Sequence, residues 1–263
     1  MPKNNHVNYD VVAPHYDQRT KGGYLEGIGT ALQGLARQVR ARHILDLGCG
    51  TGRSLYRLAG SLQPNPICYG LDFSGGMLTQ ARQFDSAYRL VNASASLPPF
   101  AANSFDLIFC VHAFHHFPDK DRVVRHAYQM LRSGGAFAIV NFDPHQCRDW
   151  YVYDYFDGVL NTDLERFSSV AEKETMLHQA GFQQIQSPLA EHITEKFVGN
   201  AVFDNNYFLE KSSCSQLILL SDEAYRAGLE RMRATVIAAK ARGEDIVFST
   251  EIKNWMTFGF KPY

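Results

Sequence analysis

The sequence predicts an α/β protein built on a mostly parallel β-sheet, and three observations lead to this fold class. Apolar runs of strand length alternate with helical stretches of about ten to fifteen residues in the middle of the chain. The runs are continuously apolar, which is typical of strands buried on both faces. The chain has 263 residues and is 45% hydrophobic, which suffices for one full-sized core. The predicted strands cover His43–Leu47, Ile67–Leu71, Phe105–Val111 and Ala136–Asn141.

Cap residues and periodic apolar positions predict the helices between these strands. Ser74 is a predicted N-cap, followed by Met77 on the apolar face of the helix. Asp119 is the predicted N-cap of the next helix, and we expect the Gly134-Gly135 pair to end it. Strands and helices in this alternation predict βαβ units and a parallel sheet.

After Asn141 the alternation stops, and an aromatic-rich segment with helical spacing begins at Trp150. The remaining predicted elements follow from caps, glycines and apolar spacing. They are a helix over Val170–Ala180 with Gly181 in the left-handed conformation after it, an extended stretch over Phe182–Ser187, a loop-rich region, a helix from the N-cap Ser221 to Gly243, and an extended tail over Ile252–Lys261.

Composition and charge exclude several classes of protein. A formal net charge of −1 gives no electrostatic reason to expect a nucleic acid or an anionic membrane as partner. No run approaches the roughly 18 apolar residues that a membrane span requires, and the N-terminus lacks the apolar segment of a secretory signal. The five cysteines are scattered without a CxxC pair, so we expect neither disulfides nor a metal site. These features predict a cytoplasmic protein.

A glycine-rich loop follows the first predicted strand. The segment Ile44 to Arg53 reads ILDLGCGTGR, in which Gly48, Gly50 and Gly52 allow unusual backbone dihedrals and a close approach of ligand to main chain. The GxGxG spacing differs from the GxGxxG of dinucleotide-binding proteins. Asp46 would repel a pyrophosphate but would favour a ligand ammonium. The loop therefore favours a zwitterionic amino-acid group over a phosphate.

A second acid follows the next strand. Asp72 stands at the tip of the second predicted strand, where it can accept hydrogen bonds from both hydroxyls of a ribose. Phe73 beside it and Met77 one turn later could enclose a flat base. Adenosine combined with a free amino acid is S-adenosylmethionine, and this is the predicted cofactor.

These residues resemble the class I S-adenosylmethionine-dependent methyltransferases, in particular the branch of the ubiquinone/menaquinone C-methyltransferases. The similarity covers about residues 9–142. The similar blocks are ILDLGCGTG (44–52), GLDFSGGML (70–78), NASASLPPFAANSFDLIFCVHAFHHF (92–117) and MLRSGGAFAIVNF (130–142), with Tyr9-Asp10 and Tyr16-Asp17 similar to an N-terminal element that folds over the cofactor.

The resemblance implies a role for each matching position. It implies that the glycine loop lines the methionine portion of the cofactor, that Asp72 holds the ribose, and that Asn92-Ala93 lies beside the adenine. The family has two residues between this pair and Leu-Pro, whereas this chain has three. The implied cofactor-binding residues are Tyr16, Asp46, Gly48, Cys49, Gly50, Thr51, Gly52, Asp72, Phe73, Met77, Asn92, Ala93 and Val111.

The resemblance also implies a Rossmann-like, seven-stranded sheet, mostly parallel with an antiparallel last strand, and a helical cap. We therefore expect an N-terminal lid and helix over residues 1–40 and a cofactor-binding core over 41–190. A helical cap over the acceptor site is expected over 191–245, and the final strand of the sheet over 246–263.

Methyl transfer is an in-line displacement, so the protein contributes mainly by holding the reactants in line. The candidate general bases are His115 and His116, which together with His112 follow the fourth strand. Alternatively they pack the loop without a role in proton transfer. No Asp or Glu lies among these three histidines in the sequence, so we expect no metal site there.

An aromatic set could cover a pocket for an apolar or aromatic acceptor, or could be ordinary core. It comprises Trp150, Tyr151, Tyr153, Tyr155, Phe156, Tyr207 and Phe208. The block after the fourth strand is not the Asn/Asp-Pro-Pro-Tyr of nitrogen methyltransferases that act on nucleobases or glutamine. Together with the net charge of −1, this argues against a nucleic-acid acceptor. Cys147 and Cys214 could bind a soft metal, but incidental thiols explain them better.

The predicted function is methyl transfer from S-adenosylmethionine to a small organic, apolar or aromatic acceptor. Two alternatives remain open on the sequence. The first is a protein that binds S-adenosylmethionine without transferring its methyl group. The second is a nicotinamide-dependent oxidoreductase, which the GxGxG spacing and Asp46 disfavour. The oligomeric state is not predicted.

Overall fold

The computed structural model describes residues 7–19, 25–83, 87–204, 206, 209–212 and 214–263. Within these residues, eight strands form one sheet. The strands are β1 (His43–Leu47), β2 (Ile67–Asp72), β3 (Arg89–Asn92), β4 (Phe105–Val111), β5 (Leu131–Phe142), β6 (Gln183–Gln186), β7 (Leu189–Val198) and β8 (Val247–Phe260).

The sheet is mostly parallel, as predicted. Its strand order is β3-β2-β1-β4-β5-β8-β6, and β7 also pairs with β8. Strands β1 to β5 run parallel, whereas β8 runs antiparallel to β5, β6 and β7. From β1 the chain places β2 and β3 on one side and then β4 and β5 on the other, so the strand order changes direction at β1. The carboxyl ends of β1 and β4 therefore border a crevice, the usual position of a ligand in an open α/β sheet.

Helices connect the strands and cover the sheet. The α-helices of the described residues are α1 (Tyr9–Val12), α2 (Glu26–Gln38), α3 (Arg53–Ala59), α4 (Gly75–Ala81), α5 (Lys120–Met130), α6 (Tyr151–Tyr155), α7 (Val159–Arg166), α8 (Val170–Ala180), α9 (Ser215–Ile218) and α10 (Asp222–Ala241). Short 3-10 helices cover Ala13–Arg19, Phe114–His116 and Gly199–Phe203.

The predicted helix caps are confirmed. The side chains of Ser74, Asp119 and Ser221 each accept a hydrogen bond from the backbone N–H three residues later. Helix α8 has the predicted bounds, and Gly181 after it has a φ of 99°. These elements are set by local hydrogen bonds, which the sequence reveals directly.

Two apolar clusters fill the two faces of the sheet. One face packs against α2 and α3 through residues such as Leu32, Leu55 and Phe109. The other face packs against α5 and α8 through residues such as Leu45, Val123 and Leu177. Strand β4 contributes to both clusters because its alternate side chains point to opposite faces. This burial on both faces explains the continuous apolar runs of the sequence.

The sheet has eight strands, one more than the predicted seven, because part of the predicted loop-rich region is a strand. Residues 189–198 form β7, which pairs with β8 from Val198 opposite Val247 to Leu189 opposite Trp255. Most β7 side chains are exposed or half-buried. Because this segment lacks a continuous apolar run, its sequence does not predict a strand.

The predicted end of α5 at Gly134-Gly135 is wrong. The helix ends at Met130, and Leu131 is already extended and begins β5. Gly134 has a φ of 77° at an irregular stretch of β5, and a Cβ there would lie 2.7 Å from Cζ of Tyr263. The glycine pair therefore serves a close approach within the sheet and not a helix stop.

The helices after β7 form a helical layer around a further apolar cluster. Met232 and Val236 of α10 pack with Trp150, Phe156 and the β8 residue Phe248. The layer thus shares its core with the central part of the chain. None of the helices in the described parts of the chain combines the length and the apolar character needed to cross a bilayer.

Candidate functional site

A cavity of about 630 Å³ lies at the carboxyl ends of β1, β2 and β4. Its walls come from three parts of the chain: the N-terminal segment, the glycine loop after β1, and the residues that follow β2, β3 and β4. The predicted cofactor-binding residues on its wall are Tyr16, Gly48, Cys49, Gly50, Thr51, Asp72, Phe73, Met77 and Val111.

The glycine loop has the backbone conformation that the sequence predicts. Gly48, Gly50 and Gly52 have φ values of 74°, 53° and 80°. A Cβ on Gly48 would lie 2.5 Å from the Cβ of Ala113, so a side chain is excluded there. A Cβ on Gly50 would meet no protein atom within 4 Å, so at this point bare main chain faces open space. Gly52 lies off the wall at the N-cap of α3.

Asp72 is held in place by the loops on either side of it. Its carboxylate accepts hydrogen bonds from the N–H of Gly50 at 2.8 Å and the N–H of Ser74 at 2.9 Å. Burial raises the pKa of this carboxyl, and these backbone hydrogen bonds oppose the shift. Each carboxylate oxygen can accept more than one hydrogen bond, so the side chain can still bind ligand hydroxyls.

Asp46 lies beneath the glycine loop and not on the cavity wall. The side chain is buried, and its Oδ1 has no hydrogen-bond partner among the described residues. Burial and the nearby Asp72 raise the pKa of this carboxyl well above its usual value. Because Asp46 does not line the cavity, its contact with a cationic ligand group stays a prediction.

Two of the four residues predicted to contact the base line the cavity, and two do not. Phe73 is 75% exposed at the cavity and Met77 is buried in the wall, so both can contact a flat ring. Asn92 and Ala93 do not line the cavity, and Ser94 and Ala95 take their place. The amide of Asn92 instead donates to the backbone oxygens of Asp72 and Phe73, at 3.0 and 2.8 Å.

The extra residue of this segment accounts for the difference. Because three residues separate the Asn92-Ala93 pair from Leu97-Pro98, the part of the segment that faces the cavity lies one or two positions later than the pattern implies. The position of Asn92 in β3, next to Asp72 in β2, makes it a link between two strand ends.

The N-terminal segment is tied to the cavity at two carboxylates. Asp10 accepts hydrogen bonds from Ser74 Oγ at 2.6 Å and from the N–H of Gly76 at 2.8 Å. Asp17 accepts from Thr51 Oγ1 at 2.8 Å and from Arg53 Nε at 2.7 Å. These contacts hold residues 7–19 against the glycine loop and the start of α4.

The far end of the cavity is mainly apolar. It is lined by Val111, Ala113, Phe117 and Pro118, which follow β4, with His112 and His116 among them. Among the described residues, no group of histidine, cysteine, aspartate and glutamate side chains could hold a metal ion.

His115 and His116 occupy different environments. His115 is buried off the cavity wall, where it stacks on Phe167 with 4.0 Å between ring centroids. Burial, and then the neighbouring cations, lower its pKa well below the usual value. His115 is therefore a core residue, and the prediction that it is a general base loses its geometric basis because it cannot reach a ligand in the cavity.

His116 lies on the cavity wall between two partners. Its Nε2 is 2.7 Å from the hydroxyl oxygen of Tyr9, in the N-terminal segment. Its Nδ1 is 3.3 Å from Nη2 of Arg166, at the end of α7. Arg166 was not predicted as a site residue, because it lies fifty residues after His116 and outside the recognised motifs.

The aromatic residues considered as a cover for an acceptor pocket are core residues, as far as the structure describes them. Trp150, Tyr151 and Phe156 are buried in the cluster with α10, and none of them lines the cavity. Tyr153 and Tyr155 pack against the same cluster. Tyr207 and Phe208 lie outside the described residues.

Comparison with known proteins agrees with this geometry. A family model described as a methyltransferase domain matches residues 45–139. The demethylmenaquinone methyltransferase of Lactiplantibacillus plantarum is 28% identical, over 67% of this chain and 86% of that protein. The uncharacterized methyltransferase YcgJ of Bacillus subtilis is 30% identical, over 62% of this chain and 67% of that protein.

The fold has solved counterparts as well. A protein of Anabaena variabilis, described as a methyltransferase from an antibiotic biosynthesis pathway, superimposes with a TM-score of 0.69 at 19% identity. The match covers 88% of this chain and 96% of that one. At this identity the likeness concerns the fold alone.

Proposed function

Because the chain belongs to the class I S-adenosylmethionine-dependent methyltransferases, we propose that it methylates a small apolar or aromatic molecule bound beside His112 and His116. The observation that carries the proposal is the composition of the cavity. One end combines a fixed carboxylate with bare glycine main chain, and the other end is lined mainly by apolar side chains. A cofactor and a small acceptor can thus meet in one cavity.

The residues at the first end fit S-adenosylmethionine. Asp72 would hold the ribose hydroxyls, and Phe73 and Met77 would enclose the adenine. The glycine loop would contact the methionine portion, above the buried carboxylate of Asp46. The cofactor supplies an electrophilic methyl group on a positively charged sulfur.

The protein contributes to methyl transfer by positioning the reactants and by excluding water. Tyr9, Asp10 and Asp17 hold the N-terminal segment against the cavity, which limits the access of solvent to the reacting groups. Holding the acceptor atom in line with the methyl group accounts for up to about 7–11 kcal/mol of the barrier in reactions of this kind. The apolar wall after β4 supports an acceptor without a fixed positive charge.

Two measurements test the proposal. Calorimetric titration should show binding of S-adenosylmethionine and no binding of a nicotinamide dinucleotide. Incubation with methyl-labelled cofactor and a panel of phenols, hydroquinones and amines should release S-adenosylhomocysteine with the aromatic hydroxylated acceptors. Binding without turnover across a wide acceptor panel would support the non-methylating alternative, and release only with charged aliphatic amines would contradict the proposed acceptor class.

A further inference from the structure

A chain of polar contacts leads from helix α7 to the cavity wall. The carboxylate of Asp163 lies 3.8 Å from the Arg166 guanidinium, whose Nη2 lies 3.3 Å from Nδ1 of His116. Nε2 of His116 is 2.7 Å from the Tyr9 hydroxyl. Helix α7 is thereby connected to the N-terminal segment through one histidine.

The contact with Arg166 selects one form of the His116 ring. A guanidinium has five N–H donors and no acceptor, so a nitrogen that contacts it favourably must carry a lone pair. Nδ1 of His116 is then unprotonated, which excludes the imidazolium and the other neutral tautomer. The ring proton is on Nε2, where it donates to the hydroxyl oxygen of Tyr9.

Arg166 is itself held by its surroundings. The side chain is 7% exposed, and the backbone oxygen of Arg166 accepts a hydrogen bond of 2.6 Å from Lys120 Nζ. Its partner Asp163 is fully buried and accepts hydrogen bonds from the Tyr153 hydroxyl at 2.8 Å and from Gln216 Nε2 at 3.0 Å. With both ends of the pair buried, water offers little competition for the guanidinium.

We propose that Arg166, which forms a buried ion pair with Asp163 at 3.8 Å without a hydrogen bond, is a positioning residue that keeps His116 in its Nε2–H form, so that the ring donates to Tyr9 and holds the N-terminal segment closed over the cofactor. The proposal rests on the proposed function, because it assigns the closed segment to cofactor retention. It gives His116 the role of a hydrogen-bond donor and not that of a general base.

The first readout is the protonation of the ring, which does not require the cofactor. In protein labelled with ¹⁵N-histidine, long-range ¹H–¹⁵N spectra should show His116 with an unprotonated Nδ1 and a protonated Nε2. Loss of one signal in the His116→Gln variant assigns it among the ten histidines. In Arg166→Met the preference for Nε2–H should disappear, and in Arg166→Lys, which keeps a cationic donor, it should persist in part.

The second readout is the affinity for S-adenosylmethionine and S-adenosylhomocysteine, measured by calorimetry. Loss of one hydrogen bond that favours closure should weaken binding about three- to tenfold in Arg166→Met. His116→Gln should keep most of the affinity, because its amide places an N–H donor near the position of Nε2. The matched control is Arg231→Met, which removes an arginine of α10 that contacts Tyr155 and Asp157 instead.

Removal of Arg166 alone leaves the buried Asp163 without its cation, which could prevent folding. The double variant Asp163→Asn, Arg166→Met removes both charges and should show the same spectral change. An unchanged His116 spectrum in both variants would overturn the proposal. An altered spectrum with unchanged cofactor affinity would overturn the assignment to closure, whereas failure of the wild-type protein to bind the cofactor would instead contradict the proposed function.

Discussion

Replacing Gly50 by alanine separates the cost of the backbone from the loss of the ligand site. Gly50 lines the cavity with a φ of 53°, and an added Cβ would meet no protein atom within 4 Å. The methyl group therefore projects into open space at the wall. We expect the Gly50→Ala variant to fold and to bind S-adenosylmethionine poorly.

The structure provides a matched control for the stability lost when alanine adopts a left-handed backbone conformation. Gly199 has a φ of 55°, an added Cβ there also meets no atom within 4 Å, and the residue lies outside the cavity. An alanine in the left-handed region costs about 1–2 kcal/mol, and the stiffer unfolded chain returns about 0.4–1 kcal/mol. Both variants should thus lose about 1 kcal/mol of stability, which corresponds to a decrease in Tm of about 2–4 °C.

The two variants should differ in binding. A methyl group forced against a closely fitting ligand costs about 1–3 kcal/mol, which is about a 5- to 150-fold loss of affinity. Calorimetry with S-adenosylmethionine should show this loss for Gly50→Ala and none for Gly199→Ala, after thermal denaturation has shown equal stability. Equal affinities in the two variants would refute the contact between the glycine loop and the cofactor.

Three further predictions concern other parts of the molecule. Asp72→Ala should weaken cofactor binding by about 1–3 kcal/mol in calorimetry, because it removes a charged acceptor of hydrogen bonds, and unchanged affinity would contradict the ribose assignment. Gly228→Ala should lower the Tm, since the new methyl would overlap the buried Phe156 ring, whereas Gly34→Ala on an exposed turn of α2 should raise it. Burial lowers the pKa of Lys173 to about 8, and its Nζ has no hydrogen-bond partner among the described residues. The unfolded chain therefore binds more protons than the native protein between about pH 8 and 10, so native stability should rise with pH over that range, and Lys173→Met should abolish this part of the rise in denaturant titrations.

The elements that the sequence predicts well depend on short-range interactions. The cap of Ser221 is a hydrogen bond to a backbone N–H three residues away, and α8 was predicted with its observed bounds. Strands β1 and β4 are apolar because both faces are covered, so each forms a continuous run. Strand β7 lacks this signal because its stability comes from pairing with β8, about fifty residues later along the chain.

The candidate site shows the same limit. The glycine loop and Asp72 were predicted because strand ends and their spacing fix their positions. His115 and His116 are neighbours in sequence, and only the tertiary structure shows that one is buried against Phe167 and the other faces the cavity. The partnership of His116 with Arg166 joins residues fifty positions apart, for which no local pattern exists.

The charges around the cofactor end of the cavity favour a cation over a neutral molecule of the same shape. Asp10 and Asp72 line this end, Asp46 lies beneath them, and Arg53 on the same wall is paired with Asp17. Burial raises the pKa of Asp46 and of Asp72, with a smaller contribution from Asp72 at Asp46 and from Asp10 at Asp72, so holding these carboxyls as anions costs free energy. A cation bound in the cavity beside Asp72, such as the α-ammonium group of an amino-acid ligand, offsets part of this cost. S-adenosylmethionine and S-adenosylhomocysteine both carry an α-ammonium group, so we expect the two ligands to share this favourable interaction with the carboxylates.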